Sequence, residues 1–275
     1  MRVAGPLLGA ILFVAPLAAV AGSVVLDGPL TQGGLVIGHA PAGTSIKLDG
    51  ISVRVSDSGL FVFGFGRDAE RRASLEIVYS DGTSEHRTLN VRRRSYRVER
   101  IDGLPPKMVT PPKQVLERIR RENARIAEVR ARDTDIRWFA DGFRWPTRGP
   151  ITGVYGSQRI LNGKPRRPHF GLDIAPPAGA AVVAPAGGIV AMAESDLYYT
   201  GGTVMIDHGH GVVSVFSHLQ SLDVATGTVV KPGQRIGAVG ATGRATGPHL
   251  DWRVNWFSKR LDPALLLDGV AGSGP

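Results

Sequence analysis

Three short segments carry most of the chemistry available to this chain: His169-Phe-Gly-Leu-Asp173, Phe216-Ser-His218-Leu219 and Gly247-Pro-His249-Leu-Asp251-Trp252. Five of the seven histidines fall between His169 and His249, in Gly-rich surroundings that read as strands and turns. A His and a carboxylate four positions apart, with two later histidines and a late carboxylate, read as a zinc site carrying its own proton-transfer groups. Zinc takes imidazole and carboxylate in a tetrahedral shell, and a catalytic site keeps one position open for water. The matching chemistry is hydrolysis by a metal-activated water. The His-x-x-x-Asp spacing is weak by itself and gains weight from the other two segments in the same domain. Gly171 disfavours a helix between His169 and Asp173, so that segment reads as a loop entering a strand. On a strand, His249 and Asp251 would share a face, because side chains alternate with period two. His208 and His210, set among glycines, read as turn or surface residues before they read as ligands.

The elements that must position these residues lie in a region from about 138 to 268. Val182-Val183, Thr203 to Ile206, Val212 to Phe216 and Arg235 to Val239 read as strands of an antiparallel all-β domain with tight turns. Residues 22–98 show another series of short β-runs between turns such as Asp49-Gly50 and Asp57-Ser-Gly59. Alternation at Ile46/Leu48 and Leu60/Val62 predicts a small β-sandwich. His39 and His86 stand alone there and suggest no catalytic constellation. Between the two lies a linker, 99–137, with a helix at about 111–132. Thr110 is the expected N-cap and Pro111 the expected first helical residue. Val115, Ile119, Ile126 and Val129 form a narrow apolar stripe suited to packing on a neighbouring domain; a partner-binding helix is the second reading. The fold class is all-β, two domains joined by a helical linker, with a short tail at 269–275.

The first 21 residues pair Arg2 with an apolar run and end in Ala19-Val-Ala21, the pattern of a secretory signal peptide. The expectation is export, with the mature chain in the periplasm and no later stretch apolar enough to span a bilayer. Zero cysteines exclude disulfides and thiolate ligands, so a metal site must use His and carboxylates. The net charge of +9 falls to about +8 once Arg2 leaves with the signal. Behind a secretion signal, such a basic surface suits an anionic envelope polymer and argues against nucleic acid.

His169-x-x-x-Asp173, the Gly187-x-Ile-Val run, Asp207-His-Gly-His-Gly211, Phe216-Ser-His-Leu219 and Thr246-Gly-Pro-His-Leu250 together resemble the lysostaphin/LytM-type zinc metallopeptidases, over about residues 145–263. The resemblance implies a twisted antiparallel sheet with a groove, and peptidoglycan stems or cross-links as substrate. It implies His169 and Asp173 as zinc ligands, and His218 and His249 as non-ligand histidines that orient water, move protons and stabilise the oxyanion. Arg159 matches a position where the family often has a groove arginine, suited to a stem-peptide carboxylate.

One position departs from the family pattern: His-x-His is usual, and Asp251 stands where the third zinc ligand is expected. An aspartate is an acceptable ligand, but a second carboxylate makes the first shell nominally neutral. Weaker Lewis acidity, a less acidic bound water and a shift towards harder metals are expected. The leading expectation is a secreted zinc metalloendopeptidase. The alternative is an inactive LytM-like regulator that binds peptidoglycan or a cell-wall amidase, with the helix or the N-terminal domain meeting a cell-wall or division protein. A biotin- or lipoyl-carrier reading of Ala184-Pro-Ala and Val230-Lys-Pro-Gly fails, because no lysine lies between Lys164 and Lys231.

Overall fold

The computed structural model describes residues 23–103 and 110–267. The expected signal segment, 1–21, and the tail, 269–275, lie outside the described residues.

The N-terminal region is built from two antiparallel sheets. One joins Val25–Asp27, Leu35–His39 and Leu60–Gly64; the other joins Ile51–Val53, Ser45–Leu48, Arg72–Val78 and Ser84–Asn90. In the second sheet Ile46 and Leu48 alternate inward and oppose Ile77 and Leu75, as period-two patterning requires. The strand Leu60–Gly64 departs from the expected alternation, since all five of its residues are buried. Its second face is covered by the C-terminal domain: a Cβ on Gly64 would lie 2.6 Å from Leu261 Cδ2. One buried apolar cluster accordingly contains Phe61, Phe63 and Phe65 together with Trp252, Val254, Trp256 and Leu261. Polar ties follow the same seam, with Arg67 Nε donating to Gly156 O at 2.7 Å and Arg94 paired with Asp262 at 2.7 Å.

The linker is more structured than its sequence suggests. Val98–Ile101 forms a strand parallel to Gln158–Leu161, whose other edge pairs with Lys164–Pro165. The helix spans Lys113–Arg130 and starts two residues later than expected, with Pro112 in extended conformation at the N-cap and no side-chain cap. The cause is the Pro111-Pro112 pair: a residue that precedes proline is disfavoured in the α region, so Pro111 cannot open the helix. Thr110 instead receives a hydrogen bond from Lys164 Nζ at 3.2 Å. The apolar stripe packs inward, with Ile126 and Val129 against Met192, Leu197, Met205 and Val215.

The C-terminal domain is a ten-stranded antiparallel sheet. Its centre is formed by Gly188–Leu197, Gly201–Gly209, Val212–Leu222 and Leu250–Trp256, followed by the short strand Leu172–Ile174 and the edge strand Ile151–Gly153. Every residue of Gly201–Gly209 is buried, so the strands that carry the site rest on a fully packed layer.

Candidate metal centre

The pairing of Leu172–Ile174 with Leu250–Trp256 sets Asp173 directly opposite Asp251. Like charges facing each other across a strand pair repel, and burial sharpens the cost. Both carboxylates are buried, so each needs a cation. Asp173 Oδ2 accepts from Arg159 Nη2 at 2.5 Å. Asp251 accepts from Arg253 through both oxygens, with Nε 3.0 Å from Oδ1 and Nη2 bonded to Oδ2. Burial alone would raise both carboxyl pKa values, and for Asp173 the neighbouring Asp251 adds to that rise. The neighbours win: Arg253 above all holds Asp251 well below the usual carboxylate range, and the contact with His169 together with Arg159 holds Asp173 below it.

His169 joins the two carboxylates. Its main-chain N–H donates to Ser157 O at 2.8 Å and its carbonyl accepts from Gly156 N at 2.7 Å, which pins the ring in the interior. One ligand atom each from His169, Asp173 and Asp251 lies within 4.8 Å of the other two. Neither His169 ring nitrogen has a hydrogen-bond partner, and nor does Asp173 Oδ1; His169 Nε2 and Asp173 Oδ1 face each other at 3.1 Å. Buried polar atoms left without partners are costly, and a divalent cation there would take one His169 ring nitrogen together with Asp173 Oδ1. The donor set therefore fits a metal. Close approach explains two glycines: a Cβ on Gly171 would sit 2.4 Å from Asp251 Oδ1, and one on Gly153 would sit 2.3 Å from Asp173 Oδ2.

His218 and His249 line the same cleft as Asp173, with ring centroids 4.7 Å apart. His218 follows Ser217, the cross-strand partner of Asp251, and adopts a positive φ of 67° that turns its ring out of the strand. Its Nδ1–H donates to Thr242 O at 2.7 Å, and His249 Nδ1–H donates to Gly247 O at 2.9 Å. A carbonyl can only accept, so in the neutral form of either ring these bonds leave Nε2 as the lone-pair acceptor. Burial, assisted by His249 and Arg253 against the pull of Asp251, pushes the His218 pKa down to about 4. His249 stands one residue before the Leu250–Trp256 strand and is bridged to Gly240, so it belongs to the loop end and not to the strand proper.

Sequence reasoning overlooked several parts of this arrangement. Arg253 lies two positions after Asp251 on the same strand, and period-two patterning could have found it. Glu99, which lies 3.5 Å from Arg159 Nε, comes from the linker strand and has no local signal. His208 and His210 are buried and not surface residues. His208 Nδ1–H donates to Gly187 O at 2.6 Å and its Nε2 meets Ser214 Oγ at 2.8 Å, away from the three-ligand group.

Compared with known proteins, residues 167–263 match the model of Peptidase family M23. The chain is similar to the cell division protein DipM of Caulobacter vibrioides, 34% identical over 151 residues that cover 52% of this chain and 24% of DipM. It is also similar to the peptidoglycan DD-endopeptidase ShyB of Vibrio cholerae, 35% identical over 130 residues that cover 47% of this chain and 28% of ShyB. The chain thus spans about a quarter of the length of these curated relatives. A crystal structure from Pseudomonas aeruginosa assigned to peptidase M23 is 29% identical, with a TM-score of 0.67, and the likeness covers 86% of this chain and 94% of that one.

Proposed function

Residues 167–263 of this chain form a domain of peptidase family M23, and from that premise we propose that the protein is a zinc-dependent endopeptidase cutting peptide bonds in peptidoglycan stems or cross-links. The observation that carries this reading is the convergence of His169, Asp173 and Asp251 beside two histidines whose Nε2 atoms are available as bases. Zinc held by those three residues would supply Lewis acidity and an acidified water. The side chains do the rest. His249 takes the proton released by the attacking water, with His218 beside it. The protonated imidazole then offers the developing oxyanion a hydrogen bond and gives its proton to the leaving amine nitrogen as the scissile C–N bond breaks. Arg159 and Arg253 keep the carboxylates ionised and oriented.

In this reading the chain is exported through its N-terminal segment and works in the periplasm. Among the described residues, no helix is long and apolar enough to cross a membrane. Because the apolar stripe of the Lys113–Arg130 helix is taken up by the sheet, a division or cell-wall partner would meet its polar face or the N-terminal sandwich.

The test is release of cross-linked fragments from purified peptidoglycan by the zinc-supplemented protein beside His169→Ala. Cleavage lost in the variant supports the endopeptidase. No cleavage by wild-type protein of verified metal content would favour the second reading, an inactive regulator of peptidoglycan or of an amidase. The observation on that side is the grip of Arg253 on Asp251, a cation already seated where a ligand oxygen is needed.

A further inference from the structure

On one face of the C-terminal sheet, arginines from separate elements gather in a row. Asp251, Arg253 and Asn255 share that face of Leu250–Trp256 by period-two alternation. Arg260, on the strand Lys259–Leu261, is paired with Asn255. On the other side Val215 and Val213 lie opposite Arg253 and Asn255, and Val129 of the linker helix joins both valines in one buried cluster. Arg130, the last residue of that helix, is thereby set over the same row. The exposed Arg167, two residues before His169, acts on Arg260 from the border.

The charges here do not cancel. Arg253 is answered by Asp251. Arg260 Nη1 donates at 2.5 Å to Asn255 Oδ1, a neutral acceptor whose own Nδ2 donates to Val213 O at 3.3 Å. Arg130 Nε is buried and has no hydrogen-bond partner. Burial, with Arg260 and Arg253 adding repulsion, pushes the Arg130 pKa down to about 8, and burial with Arg253 and Arg167 pushes Arg260 down to about 10. Among the described residues only Tyr155 opposes these shifts, and only at Arg260. Three guanidiniums thus meet one carboxylate, and Arg130 and Arg260 are left without an acidic side chain. Both are half-buried, as is Arg253, so a solute can reach them.

Holding like charges together partly out of water is destabilising, and an anion between them removes the repulsion. A carboxylate brings one negative charge and two oxygens. A phosphate monoester brings about −1.5 to −2 charge at pH 7 and three acceptor oxygens, which matches two uncompensated guanidiniums arriving from a helix and a strand. We propose that Arg130 and Arg260, bordered by Arg253 and Arg167, form a binding site for a phosphate group. A ligand there ties the end of the linker helix to the sheet. The site uses no metal and stands apart from the endopeptidase reading.

The experiment titrates the full chain with inorganic phosphate by calorimetry, zinc-loaded and again in EDTA, beside Arg130→Gln, Arg260→Gln and Arg120→Gln, an exposed arginine of the same helix. Wild type should bind phosphate equally in both conditions, and each of the first two variants should bind about tenfold or more weakly, the size of a lost charge-assisted bond. Arg120→Gln should bind as wild type does. In phosphate-free buffer Arg130→Gln should melt no lower than wild type, because it removes a repelled charge; added phosphate should raise the wild-type midpoint and not that of the variant. Should one variant fail to fold, the other decides. The proposal is overturned if wild type binds no phosphate, if the folded variants bind it as wild type does, or if EDTA abolishes binding, which would put the phosphate on the metal. Flotation with phosphatidylcholine vesicles containing or lacking phosphatidic acid separates the sources. Capture by the anionic vesicles that either variant loses supports the site with a lipid headgroup as its ligand, and phosphate binding without capture supports it with a soluble phosphate compound.

Discussion

Arg253 closes on Asp251 from two positions along the same strand, its Nε lying 3.0 and 3.1 Å from the two carboxylate oxygens. Together the two side chains are neutral, as an unprotonated imidazole is. A charge count that includes Asp251 but omits Arg253 overstates how far the aspartate damps a bound cation. The pair also accounts for two carboxylates, Asp173 and Asp251, lying opposite each other in a buried strand pair.

Arg253→Gln should therefore destabilise the metal-free protein by about 3 kcal/mol, the lower end of the cost of orphaning a buried ion, because the arginine is partly exposed. Added zinc should restore more stability to the variant than to wild type, since a cation then answers Asp251. Urea unfolding with zinc and with EDTA measures both quantities. An unchanged midpoint in EDTA would show that the pair carries no structural weight.

His249→Ala should lower turnover on peptidoglycan by about two to three orders of magnitude, as loss of one transition-state donor does. Bound zinc per chain should stay unchanged, because His249 is outside the three-ligand group. Asp173→Ala should lose both activity and metal. A His249 variant that loses its zinc would mean the ligand set is drawn wrongly.

Stability should fall on acidification through His208. Burial pushes its pKa from 6.5 down to about 4, with the bond to Gly187 O pulling weakly the other way. In the range between those values the unfolded chain binds a proton that the folded chain refuses. The stabilisation is fully present above pH 6.5 and is lost as pH drops towards about 4. It amounts to about 3 kcal/mol. His208→Gln should flatten the slope of unfolding free energy between pH 7 and 4, roughly the window the linkage sets; a slope equal to wild type would assign it to other groups.

Leu261 is fully buried against Gly64 in the core shared by both domains. Leu261→Ala should cost about 2–5 kcal/mol. Because the second face of the Leu60–Gly64 strand is covered by the C-terminal domain, the N-terminal sandwich and the C-terminal sheet should melt together in one transition. Calorimetry showing two separated transitions in wild type would contradict a continuous core.

The types and spacings of His169, Asp173, His218, His249 and Asp251 were legible along the chain, because ligand chemistry depends on side-chain identity and strand faces follow period two. The β-runs of both domains were legible for the same local reason, as was the inward stripe of the helix. The helix start was misread at Thr110 because the Pro111-Pro112 pair acts against its own first residue. Tertiary structure alone decided that Asp173 faces Asp251, that Arg159 and Glu99 arrive from a hairpin and a linker strand, and that Tyr199 carries Arg244 to the cleft. Those relations join residues from distant parts of the chain, where register and long-range packing, and not local pattern, choose the neighbour of each charge.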